Sequence, residues 1–95
     1  MGLWSKIKDV LEIWKRDGDL ITELGEVKKR EIYPSNKPTY STEVEVESGI
    51  LLESNEIADY YRFREGEKVK VSYWNLVDSK GKIRDFEVNE IDHAN

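Results

Sequence analysis

Residues 40–52, YSTEVEVESGILL, put Tyr40, Thr42, Val44, Val46, Ser48, Ile50 and Leu52 at every second position, with Glu43, Glu45 and Glu47 between them. Successive side chains of a strand point to opposite faces, so this pattern describes a long strand with one buried and one wet face. Upstream, residues 20–33 read as a second strand. It is turned by Pro34-Ser35-Asn36-Lys37-Pro38, where the prolines forbid helix and favour a loop. Pairing Tyr33 with Tyr40 sets Arg30 opposite Glu43, Lys28 opposite Glu45 and Val27 opposite Val46. Opposite charges then meet on one face and valines on the other. The expectation is an antiparallel hairpin over residues 20–53.

A second hairpin follows. Lys68 to Val77 alternates around Val69, Val71 and Tyr73, and Asp78-Ser79-Lys80-Gly81 has turn chemistry. Lys82 to Ile91 returns with Ile83, Phe86 and Val88, and the change of parity after Ile83 predicts a bulge near Arg84-Asp85. Ser54-Asn55 is placed to cap one helical turn through Glu56 to Asp59. Val44, Val46, Ile50, Val69, Val71, Phe86 and Val88 are the expected shared core.

The N-terminal segment carries a different period. Leu3, Trp4, Ile7, Val10, Leu11 and Trp14 fall on one helical face, opposite Lys6, Lys8, Asp9, Glu12, Lys15 and Arg16. Gly18 offers a left-handed stop. The spacing predicts an amphipathic helix over residues 1–17. The stretch GLWSKIKD, Gly2 to Asp9, resembles the opening of frog-skin dermaseptin peptides, which implies a helix able to lie on membranes. Four bases against three acids in residues 1–17 leave only +1, a weak attraction to anionic lipid, so packing on a sheet is the stronger expectation.

The fold class expected for residues 1–95 is therefore α+β and mainly β. It comprises that helix followed, over residues 20–91, by a four- to five-stranded antiparallel curled sheet or a small OB-like or SH3-like barrel. The run FREGEKVKVSY, Phe63 to Tyr73, resembles the turn and strand that open many such barrels. The long first hairpin followed by this run looks like small barrel domains of uncharacterised prokaryotic proteins. That resemblance implies an architecture and no activity.

Composition narrows the function classes. Ninety-five residues with 38% hydrophobic and 11% aromatic side chains suffice for one small core. Twenty acids against 15 bases give −5, where a duplex binder normally carries a basic surplus. With no Cys and a single His, thiol, zinc-knuckle and His-based nucleophilic chemistry lose their residues. There is no dinucleotide or phosphate-loop motif, and Glu43, Glu45 and Glu47 read as a solvated strand face rather than a cation site. The expectation is no enzyme, no catalytic or metal site and no cofactor. A cytoplasmic location fits the absence of Cys, of a signal segment and of a membrane-length apolar run, with a peripheral membrane location as the alternative.

The best binding argument lies in aromatics interleaved with cations. From Arg62 to Arg84 the chain has seven bases and three acids. Tyr60, Arg62, Arg64, Trp74, Lys80, Lys82 and Arg84 form a candidate surface, and Leu3, Trp4, Ile7, Val10, Leu11 and Trp14 a candidate helix interface. Three readings follow. The first is a non-catalytic module that binds a protein partner or self-associates. The second is a single-stranded nucleic-acid binder of OB type, stacking bases on those aromatics. The third is a peripheral membrane protein anchored by the helix.

Overall fold

A computed structural model describes residues 13–94. Five strands and one short helix follow in the order β1 (Lys15–Tyr33), β2 (Thr39–Val46), β3 (Leu51–Ser54), α1 (Ile57–Arg62), β4 (Lys68–Val77) and β5 (Ile83–His93). They form one antiparallel sheet in the spatial order β3-β2-β1-β4-β5, curled into a half-barrel.

The 19-residue β1 is the spine. Its first half pairs with β4 from Lys15↔Val77 to Glu26↔Lys68, and its second half pairs with β2 from Gly25↔Val46 to Tyr33↔Thr39. Only Gly25 and Glu26 pair on both sides, so two three-stranded arms share this short stretch. Ladder irregularities between Asp17 and Ile21 and between Val27 and Lys29 bend the strand across the arms. Gly25 lets the arms close. A Cβ there would lie 2.8 Å from the Glu45 carbonyl oxygen and 2.9 Å from Val44 Cγ1.

The curl encloses Val27, Val44, Val46, Leu52, Phe63, Val69, Val71, Tyr73 and Ile91, with Ile21, Ile50, Phe86 and Val88 packed against them. All seven apolar positions expected from the alternation lie in this cluster. Phe63, at the exit of α1, fills the space that the strands leave at one end and packs beneath the His93 ring, 4.9 Å away. Ser54, expected as a cap, does not cap α1, whose N-cap is Glu56 with no side-chain cap bond; it accepts the Glu56 amide at 3.2 Å and donates to Asp59 Oδ2 at 2.5 Å.

The predicted N-terminal helix is not supported: no helix is present at the N-terminal end of the described residues. Of its stripe, Leu3, Trp4, Ile7, Val10 and Leu11 lie outside the described residues. Of the described remainder, Ile13 and Trp14 belong to no element, and Lys15, Arg16 and Asp17 are strand, paired with Val77, Leu76 and Asn75. Among the described residues α1 is the only helix, so the fold is a β half-barrel rather than helix plus sheet. The physical reason is backbone pairing. A full ladder against β4 outweighs an amphipathic periodicity, because most helical stability comes from packing. Gly18 does take positive φ, at +68°, but inside the β1 irregularity instead of at a helix end.

The hairpin register also differs. Tyr40 lies opposite Ile32, Arg30 opposite Thr42, and Val27 opposite Val44. Shifting the loop by one residue, and inserting Lys28 as an extra residue, moves each expected partner. Valine still meets valine, and Lys28 still reaches Glu45 at 3.7 Å. The predicted bulge near Arg84-Asp85 is present, since Leu76 pairs with Asp85 and Val77 with Ile83, leaving Arg84 over.

Candidate functional site

The strand order leaves β3 and β5 as the two edges of the sheet. The curl brings them into contact, but no ladder joins them. Between them runs an open groove of about 470 Å3. One wall is the consecutive run Glu53-Ser54-Asn55-Glu56, where β3 hands over to α1, and the other is Phe86-Glu87-Val88 of β5. Neighbouring strand residues point to opposite faces. A groove lined by consecutive residues therefore follows a strand edge rather than a sheet face. Trp14, Arg16 and Leu76 complete the lining.

Its electrostatics are set by one clamped cation and three acids. Arg16 donates from Nε to Glu87 Oε1 at 2.5 Å and from Nη2 to Oε2 at 3.2 Å, a bidentate pair that positions both side chains. The Glu87 hydrogen bond raises the Arg16 guanidinium above its ordinary range, and the same bond lowers the Glu87 carboxyl. The guanidinium carbon lies 3.8 Å from the Trp74 ring centroid, so Trp74 is capped by Arg16. Across the groove, Glu53 accepts the Ser41 hydroxyl at 2.6 Å. Neither Glu53 nor Glu56 meets a cation among the described residues.

The seven residues of the aromatic and basic surface do not assemble. Tyr60 sits on α1 in a tyrosine cluster, edge-on to Tyr40 at 5.4 Å and to Tyr61 at 5.1 Å, with the Arg30 guanidinium over its ring at 4.8 Å. Arg62 leans on Phe63 and reaches Asp92 at 3.3 Å, while the Arg64 side chain is exposed. Lys80 and Lys82 belong to the β4–β5 turn and Arg84 to the first residues of β5, around the buried Asp78 carboxylate. That carboxylate accepts the amides of Lys80 and Lys82 at 2.9 and 3.0 Å and Arg84 Nε at 2.9 Å. The Lys82 amide bond is the largest influence holding the Asp78 carboxyl below its usual range. Lys80 and Lys82 make no ion pair among the described residues. The α1 group and the turn group flank the whole of β4, ten residues, or roughly 30 Å at strand rise. Trp74 lies within β4 itself, opposite Glu87 and beneath Arg16. Of the predicted helix interface only Trp14 is described; it is 41% exposed and lines the groove.

Arg16, Glu53, Asn55, Glu56 and Glu87 escape a reading by alternation, because a strand's place at an edge depends on sheet order. The only local signal is the acid-rich run of β5, in which Asp85, Glu87, Glu90 and Asp92 outnumber Arg84.

A second polar cluster is internal. Glu23 of β1 accepts the Tyr73 hydroxyl in a very short bond, the Ser48 hydroxyl at 2.8 Å and the Ser48 amide at 2.9 Å. It ties the β2–β3 turn to β1 and β4. Among the described residues no three His, Asp or Glu side chains converge as metal ligands, and no helix is long and apolar enough to cross a membrane. The sole His, His93, lies 2.9 Å from Glu67.

Compared with known proteins, the chain matches no family model, no curated protein and no solved structure.

Proposed function

We propose that this chain is a non-catalytic interaction module, an OB-like half-barrel that takes a protein partner in the slot between β3 and β5. The observation that carries this reading is the unclosed seam. Two strand edges face each other across a groove whose walls are runs of consecutive residues. Unpaired edges are what extended partner segments use to join a sheet. Of the two barrel types suggested by the sequence, the OB-like one is favoured by a partly open five-stranded sheet with a helix between β3 and β4. Fold likeness alone assigns no ligand, so the proposal rests on the groove.

The single-stranded nucleic-acid reading has less support. Tyr60 and the unpaired lysines Lys80 and Lys82 flank opposite ends of β4, Trp74 is capped by Arg16, and the tyrosine rings pack against one another and Arg30. Base stacking needs exposed ring faces beside cations. The membrane reading rests on Leu3 to Leu11, outside the described residues.

Peptide display on the intact chain tests the proposal. Selected peptides should lose binding to Trp14→Arg and to Asn55→Trp, one variant on each side of the groove, while Tyr61→Ala leaves binding intact. Both groove variants alter exposed positions, and cooperative melting would verify their folding. Selection of peptides that depend on Tyr61 and ignore the groove would overturn it, as would competition by short oligonucleotides.

A further inference from the structure

Resting on the proposed slot, we infer that its occupant is an extended, basic segment of another protein, added as a strand along the free edge of β5. The backbone comes first. Among the described residues β5 pairs with β4 on one side over nearly its whole length and has no ladder on the other. β3, four residues long, is too short to close the barrel against it. The slot thus offers main-chain donors and acceptors to a segment without structure of its own, and such pairing carries affinity independent of sequence.

Charge selects which segment fits. The groove walls carry Glu53, Glu56 and Glu87 against Arg16 alone, and Arg16 is already committed to Glu87. Along β5, Glu87 is paired with Arg16 and Asp92 with Arg62, Arg84 is held by Asp78, and Asp85 and Glu90 meet no cation among the described residues. A second copy of the chain pairing through β5 would set acid against acid, and like charges directly opposite destabilise a strand pair. An acidic segment meets the same repulsion. A segment alternating Lys or Arg with apolar residues places its cations toward Glu53 and Glu56. Its apolar side chains then lie toward Trp14, Leu76, Phe86 and Val88. The acids of β5 therefore disfavour self-pairing, and Glu53 and Glu56 on the facing wall admit a cationic strand.

The probe is a capped synthetic peptide alternating lysine and valine, titrated against the full chain, with its glutamate–valine counterpart as control. Binding should map to β5 amides by chemical-shift change. N-methylation at every second residue, in at least one of the two phases, should weaken it roughly tenfold or more. Glu53→Lys with Glu56→Lys, both exposed, should weaken it and flatten its salt dependence while the melt stays cooperative. Equal binding of the glutamate–valine peptide, indifference to N-methylation in both phases, or a concentration-dependent dimer formed through β5 would overturn the inference. Should display-selected non-basic peptides occupy the slot while the lysine–valine peptide does not, this inference falls and the interaction-module reading stands. If nothing binds the slot, both fall.

Discussion

Thr42 and Arg30 face each other across β1 and β2, and each keeps a buried polar atom without a partner: Thr42 Oγ1 and Arg30 Nε. The rest of the Arg30 guanidinium is engaged, with Nη1 donating to the Tyr60 carbonyl at 2.6 Å. An orphaned buried hydroxyl costs more than an apolar group of the same shape. Thr42→Val should therefore raise stability by about 1 kcal/mol, read from the denaturant midpoint. A loss would mean that the hydroxyl is bonded in solution. Glu23 and Tyr73 make the opposite case, a satisfied polar pair in which Tyr73 is buried and Glu23 half-buried. Burial pushes the Glu23 carboxyl up, but the bonds from Tyr73 and Ser48 outweigh it and hold it below its ordinary 4.5. Its contribution is intact above that value and is lost as pH falls through the lower folded value. Burial, then the Glu23 bond, raises Tyr73 above 10.0. That contribution is intact below pH 10.0 and lost as pH rises through the folded value. Tyr73→Phe should flatten both limbs of the stability–pH profile. An unchanged alkaline limb would assign it to Tyr33 and Tyr61, which are also raised.

Among the elements, β1 has to serve two arms, and Gly25 is where they share it. Gly25→Ala should cost about 1–3 kcal/mol in thermal or denaturant melts, because the added methyl meets backbone and a packed valine rather than space. An unchanged melt would show that the arms can separate there freely. The β4–β5 turn depends on Asp78 in a different way. Asp78→Ala should speed amide exchange at Lys80 and Lys82, whereas Asp78→Asn, which keeps an acceptor oxygen, should speed it less. Equal rates in all three proteins would show that the turn holds itself. Much at this scale was legible beforehand. The parity change between Ile83 and Phe86 announced the bulge at Arg84. The hairpin register was not legible, because the loop length and the insertion at Lys28 answer to packing on both sides of β1.

Across the whole molecule, protection should grade from the shared stretch outward. Amides around Gly25–Val27, hydrogen-bonded within the body of the sheet, should exchange slowest, and those of β3 and the outer side of β5 fastest. Uniform protection of all five strands would mean that the barrel closes in solution and that the slot is absent. Period-two alternation was enough to place the strands and to pick Val44, Val46, Val69 and Val71 for the core, because burying one face of a strand is a local demand on composition. A periodic pattern misled at Lys15 to Asp17, where the end of the expected helix is instead strand paired with Asn75–Val77. The pairing of β1 with β4 and the meeting of Glu53 and Glu56 with Phe86–Val88 arise between residues thirty or more positions apart. No local period encodes such neighbours; the curl of the sheet about Gly25 chooses them, through close packing and the requirement that buried backbone find partners.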